Sequence, residues 1–300
     1  MRPPLLRVRG TDRPVDTTLV MGVVNASPES FSDAGRFATL ESRLELAASL
    51  VASGADVLDV GGQSAITGVP EIDADLEIER VVPIVEWIRA TYPQVLVSVD
   101  TYKPRVVEAS LAAGADIIND VSGLLYPEVA DMCASSGAAL VVMHTSAPPK
   151  VRRQEADLYG DIGVEVRNFL AEKSDEAVAL GVPRESIILD PGPDFAKTPH
   201  QTLTVLREID GVRALERPLL LALSRKDFLG AITGRSPRAR GAATDAAIAH
   251  FAASPGGIVR VHDVAAAVDV IATVEALNGR RDIAVNYVLP DEIRHEPPLT

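Results

Sequence analysis

Leu96-Val-Ser-Val-Asp-Thr101, an amphipathic stretch over 105–113 closed by Gly114, and Ile117-Ile-Asn-Asp120 make up the repeating unit of this chain. An apolar run ends in polar residues, a segment of helical periodicity follows, and a new apolar run begins. Runs that stay apolar rather than alternating fit parallel strands buried on both faces. Working outward, the same kind of run recurs at 19–24, 57–60, 139–143, 187–189, 219–222 and 258–261. Helical periodicity falls between them at 40–53, 72–90, 127–136, 161–180, 202–209, 244–253 and 265–277. Gly54, Gly137 and Gly181 stand where helix-ending glycines are expected. Strands alternating with helices in this number predict an α/β fold, a single (β/α)8 TIM barrel. A six-stranded open sheet, doubly wound, is the alternative. The barrel is expected over 17–279, preceded by an extended arm at 1–16 and followed by a loosely packed tail at 280–300.

Composition narrows the function. Hydrophobic residues are 47% of the 300, enough for a large aliphatic core. Lys and Arg number 29 against 42 Asp and Glu, a net charge of −13. Nucleic-acid and membrane-surface binding need clustered positive charge, so neither is expected. A single cysteine, Cys133, excludes a disulfide framework within one chain and reads as a core residue. The N-terminus lacks the apolar core of a signal peptide, and no apolar run has the length of a membrane span. A cytoplasmic location is the expectation.

In a barrel, chemistry sits where the strands end. The runs end in Asn25, Asp59, Asp100-Thr101, Asn119-Asp120, His144, Asp190-Pro-Gly192, Ser224-Arg-Lys226 and Arg260-Val-His262-Asp263. Helix capping accounts for Asp and Asn at such places but not for Lys226, Arg260 and His262. Cations at strand ends point to an anionic or acceptor-rich ligand. Asp59 and His144 each have a plainer reading, as groups that hold their neighbours. Trp87 reads as packing or interface.

Several of these blocks resemble the signatures of the dihydropteroate synthases, in that family's order: Gly22-Val-Val-Asn-Ala-Ser-Pro-Glu-Ser-Phe-Ser-Asp33, Asp59-Val-Gly-Gly-Gln-Ser64, Ser98-Val-Asp-Thr101, Ile118-Asn-Asp-Val-Ser-Gly123, Asp190-Pro-Gly192, Ser224-Arg-Lys226 and Arg260-Val-His-Asp263. The resemblance spans roughly 17–277. It implies a pterin-binding TIM barrel and a transferase of folate biosynthesis. The reaction would join 6-hydroxymethyl-7,8-dihydropterin pyrophosphate to p-aminobenzoate, with Mg2+ on the leaving pyrophosphate. By the same resemblance, Asp100, Asn119, Asp190, Lys226 and Arg260 would bind the pterin. Asn25, Arg260 and His262 would serve the metal and pyrophosphate as catalytic residues, with Asn25 as metal ligand. A homodimer is the expected assembly.

The departures gather at the second substrate. Where the family reads Glu-Ser-Thr-Arg-Pro-Gly, this chain has Gln63-Ser-Ala65-Ile66-Thr-Gly68. Asp194 and Ala196 flank Phe195 in place of glycines, and Asp227 replaces a common Ser. Ala65, Ile66, Phe195 and Asp227 therefore mark a remodelled rim, with no replacement Arg nearby in sequence. Losing one charge-assisted contact costs about 1.5–3 kcal/mol, or roughly 10- to 150-fold in capture of an aminobenzoate. In this the chain looks like the divergent second actinobacterial copy. The alternative function is thus a catalytically inactive or repurposed pterin-binding paralogue. The pterin domain of corrinoid methyltransferases shares the fold, but the first block and Ser224-Arg-Lys226 look like the synthase branch.

Overall fold

The computed structural model describes residues 3–26, 39–64 and 67–295. Eight parallel strands close into a barrel: β3 (Leu19–Asn25), β4 (Val57–Gly61), β5 (Leu96–Asp100), β6 (Ile117–Asp120), β7 (Ala139–Met143), β8 (Ile187–Asp190), β9 (Leu219–Leu221) and β10 (Gly257–Val261). Strand β10 pairs with β3, Arg260 opposite Met21, which seals the ring. The open-sheet alternative is thereby excluded.

The register sorts the apolar runs into two cores. Successive strand residues face opposite sides. Val20, Val24, Leu58, Val60, Val97, Val99, Leu140 and Val142 belong to one cluster with the helices. Leu19, Met21, Val57, Leu96, Ile117, Val141, Ile188, Leu220 and Ile258 form a second cluster. Two residues further along these inward rows come Asp59, Ser98, Asn119, Asp190 and Arg260. The barrel interior is therefore apolar below and polar above.

Residues 5–14 correct the expectation of an extended arm. They fold into a hairpin, β1 (Leu5–Val8) and β2 (Thr11–Pro14), with Val8 opposite Thr11. Arg9 and Gly10 both take positive φ, as a two-residue hairpin turn requires. Leu6 and Val8 alternate onto the buried face and join the lower cluster with Val15. The hairpin therefore covers the mouth opposite the polar end.

The helices are α1 (Leu40–Ala52), α2 (Ala74–Thr91), α3 (Pro104–Ala113), α4 (Glu128–Ser136), α5 (Ile162–Ala179), α6 (Pro199–Arg207), α7 (Asp210–Arg213), α8 (Asp227–Thr233), α9 (Gly241–Ala252) and α10 (Val264–Leu277). Asp73, Asp161 and Asp263 cap α2, α5 and α10. Helix α6 starts earlier than its periodicity suggests, because Thr198 and Gln201 form a capping box. The short α8 was not foreseen. Among the described residues no helix is long and apolar enough to cross a membrane. Beyond α10, Arg280 bonds the carbonyls of Ala252 and Ala253, and Ile283, Val285 and Val288 are exposed.

Candidate active site

A cleft of about 810 Å3 opens at the C-terminal ends of the strands. Asn25, Asp100, Phe195, Lys226, Asp227, Arg260 and His262 line it. Asn119 and Asp190 are buried residues at the same strand ends. Every sequence-predicted site residue among the described ones is thus at one end of the barrel. Ala65 and Ile66 lie outside the described residues.

Charge is stacked at the base of this cleft. Arg260 donates from Nε to Asp59 at 2.6 Å and from Nη2 to Asp100 at 2.9 Å. Asp59 also accepts from Ser98 Oγ at 2.6 Å and from the Asn119 amide at 3.4 Å. Asp59 is fully buried with both carboxylate oxygens engaged by Arg260, Ser98 and Asn119, so the plainer reading fits it: it anchors Arg260 and Asn119. Asn119 Oδ1 is buried and has no hydrogen-bond partner among the described residues. A buried acceptor left open costs free energy that a ligand N–H would recover.

Burial sets the titration of these groups. Asp100 is pushed up to about 7 by burial, against the pull of Arg260. Asp190 is pushed up to about 6 by burial, against the Gly192 N–H that it accepts at 2.7 Å. Burial lowers Lys226, with Asp194 and Asp190 opposing the shift. For Arg260, burial works against the cation, and Asp59 and Asp100 more than offset it, so its pKa rises.

Lys226 is aimed by the loop after β8. Its Nζ donates to the Pro193 carbonyl at 3.1 Å and lies 4.4 Å from the centre of the Phe195 ring. On the far side, Ser224 Oγ is 2.9 Å from His262 Nδ1. His144 is buried against Phe169, with Lys197 Nζ 2.8 Å from its Nδ1. Burial, then the Lys197 charge, drives its pKa far down, so the neutral ring is a structural group. Lys197 was missed in the sequence because it follows a strand end by several residues.

The rim differs from its reading in sequence. Asp194 accepts from the main-chain N–H groups of Asp227 and Phe228 and from Thr202 Oγ1. Asp227 pairs with Arg240 at 3.0 Å. Both acids are engaged in holding α8. Positive charge reaches the cleft from elsewhere: Lys150, Arg152 and Arg153 on the loop after β7, Arg225 after β9 and Arg238 in the turn after α8. Lys150 bonds the Ser64 carbonyl, and its own carbonyl accepts from Gly68 at 3.2 Å, so this loop docks beside the altered segment. The run Lys150-Val-Arg-Arg153, basic in an acidic chain, was the signal available in the sequence. Gln63 bonds Tyr102, and Lys103 meets the buried Glu77 at 2.8 Å, closing the remaining side.

Among the described residues no group of three or more His, Cys, Asp and Glu side chains converges on a cation site. Asn25 offers one neutral oxygen at the cleft wall. That donor set fits an Mg2+ carried in by phosphate oxygens and keeping several waters, rather than one caged by protein.

Comparison with known proteins agrees with this geometry. The family described as pterin binding enzyme matches residues 21–262. A dihydropteroate synthase of Synechocystis is 38% identical over 87% of this chain and 90% of its own length. The inactive dihydropteroate synthase 2 of Mycobacterium bovis is 40% identical over 90% of this chain and 86% of its own. The crystal structure of Burkholderia cenocepacia dihydropteroate synthase complexed with 7,8-dihydropteroate superposes with a TM-score of 0.82 at 36% identity, covering 93% of this chain and 98% of that one. A closed barrel with its polar groups gathered at the strand ends, in a chain matched this extensively, belongs to the pterin-binding enzyme family, in its dihydropteroate synthase branch.

Proposed function

We propose that this chain binds 6-hydroxymethyl-7,8-dihydropterin pyrophosphate and transfers its pterinylmethyl group to p-aminobenzoate. The observation that carries the reading is the stack of Asp100, Asn119, Asp190, Lys226 and Arg260 at the base of one cleft. A pterin presents an N–H edge, a carbonyl and ring nitrogens. Ionised Asp100 and Asp190 accept from the donor edge, and Asn119 Oδ1 needs a donor. Lys226 donates to the carbonyl side, and Arg260 offers a planar cation to the ring.

In the reaction the arylamine nitrogen attacks the methylene carbon, the C–N bond forms, and the C–O bond to pyrophosphate breaks. The neutral arylamine is already nucleophilic, and its proton passes to solvent. What this chain supplies is orientation and charge: the carboxylates stabilise positive charge developing on the pterin. Arg260 and His262 face the departing anion, while Lys150, Arg152 and Arg153 make the rim attractive to it. Asn25 would hold an Mg2+ brought in with the pyrophosphate, and such an ion would supply charge neutralisation to the leaving group. The working form is expected to be a cytoplasmic homodimer.

Titration calorimetry with the pterin pyrophosphate and Mg2+, followed by p-aminobenzoate, tests the reading. Binding in the first step and dihydropteroate formation in the second support it; absence of pterin binding overturns it. A second reading is favoured by Ala65 and Ile66 and by the 40% identity to a relative named inactive. Tight pterin binding with no turnover would select that pterin-binding paralogue instead.

A further inference from the structure

The loop after β8 carries a buried lysine nitrogen, its pKa lowered to about 7 by burial, that the proposed chemistry does not use. Lys197 is fully buried and, among the described residues, has no carboxylate within hydrogen-bond distance. Its Nζ donates to the carbonyls of Gly192 at 3.0 Å, Phe195 at 3.0 Å and His144 at 3.3 Å, beside His144 Nδ1 at 2.8 Å. Those acceptors draw two turns of one loop and the end of β7 onto a single point. Between them, the Pro193 carbonyl is left to accept from Lys226 at 3.1 Å, and the Phe195 ring lies beneath the same ammonium.

The loop does not take this shape by local preference. Gly192, Asp194 and Ala196 all have positive φ, and only the glycine adopts that region readily. A Cβ at 192 would run into the His144 carbonyl, so the loop is pressed against β7. Asp194 is held from outside by Thr202 and the start of α8. The inside is held by Lys197.

Resting on the pterin-binding reading, we propose that Lys197 is a positioning residue: its caged Nζ shapes the loop whose Pro193 carbonyl and Phe195 ring aim Lys226 at the pterin. Lys197 itself touches no substrate. Its effect on affinity must therefore pass through Lys226.

A double-mutant cycle reads this directly. Pterin pyrophosphate affinity is measured by titration calorimetry on the full chain for the wild type, Lys197→Met, Lys226→Met and the double variant, with circular dichroism to confirm folding. Lys197→Met is expected to weaken binding about 10-fold, equivalent to ~1.4 kcal/mol. The double variant should bind no more weakly than Lys226→Met alone, because a mispositioning that acts through Lys226 is silent once Lys226 is gone. Losses that multiply, or an unchanged Lys197→Met affinity, would overturn the inference. If Lys197→Met does not fold, Lys197→Gln, which keeps a side-chain N–H donor, replaces it in the same cycle with the same two outcomes. A wild type that fails to bind the pterin overturns the functional reading, and the inference with it. A wild type that binds, with multiplicative losses, removes the inference alone.

Discussion

Replacing Asp59 by Asn keeps the shape of a fully buried side chain and removes its charge. The carboxylate accepts from Arg260 Nε at 2.6 Å, from Ser98 Oγ at 2.6 Å and from Asn119 Nδ2 at 3.4 Å. An amide accepts through one oxygen only, and its own NH2 needs an acceptor in a region crowded with donors. Hydrogen bonds to charged groups contribute about 1.5–3 kcal/mol. Arg260 keeps Asp100 at 2.9 Å, so the cost stays below the ~3–5 kcal/mol of a buried cation stripped of every partner. For a domain of this class that corresponds to a fall in Tm of about 3–10 °C. Pterin affinity should fall about 10-fold, because Arg260 and Asn119 lose their common anchor. Scanning calorimetry and pterin titration measure both quantities. An unchanged Tm together with an unchanged affinity would refute the assignment of Asp59 as that anchor.

Lys226→Ala should leave the barrel folded and weaken pterin pyrophosphate binding at least 10-fold, since an acceptor on the ligand then lacks its donor; undiminished affinity in the folded variant would show that another group faces the carbonyl. Affinity for the pterin should also depend on pH. Asp100 titrates near 7 and accepts N–H bonds far more strongly when ionised, so affinity should be flat above pH 7 and fall below it, by at most about 10-fold per unit, steepening below 6 as Asp190 is also protonated. A binding isotherm that does not change between pH 8 and pH 5.5 would exclude these carboxylates as acceptors. The double change A65T/I66R restores a hydroxyl and a guanidinium at the remodelled rim, and should lower the KM for p-aminobenzoate with a smaller effect on kcat. Steady-state dihydropteroate formation measures this, and equal kinetics in wild type and variant would show that Lys150, Arg152 and Arg153 already do that work. Leu6→Ala should destabilise the fold by ~2–5 kcal/mol without altering the cleft, because Leu6 fills the opposite mouth of the barrel; chemical denaturation provides the measurement, and a loss under 1 kcal/mol would mean the hairpin is only loosely seated.

Read locally, the chain already contains its strands. The apolar runs are short and continuous, and each stops at a polar residue because the interior changes from apolar to polar at that level. The placement of Asp100, Asn119, Asp190, Lys226, Arg260 and His262 at the strand ends was legible for that reason. The helix capped by Thr198 and the hairpin at Arg9-Gly10 were written in local chemistry too, but a long apolar period hides the first, and only alternate burial against the barrel floor reveals the second. Other features have no local signature. Asp59 and Arg260 are 201 residues apart and meet because the barrel closes. Whether a polar strand-end residue lines the cleft or holds a neighbour depends on the two-residue period of the strand and on what stands opposite, so Asp59 and Arg260 look alike in sequence and differ in role. Lys197 reads as an ordinary loop lysine until the fold brings three carbonyls and His144 around it. The same holds at the rim, where the acids at 194 and 227 are engaged by α8 and Arg240, and the basic run at 150–153 faces the cleft only because its loop docks on Ser64 and Gly68. Sequence alone determined where the strands lie and which end of each is polar, since burial imposes that pattern residue by residue. Tertiary structure decided which polar groups are free to meet a ligand, since that is settled by partners brought from distant parts of the chain.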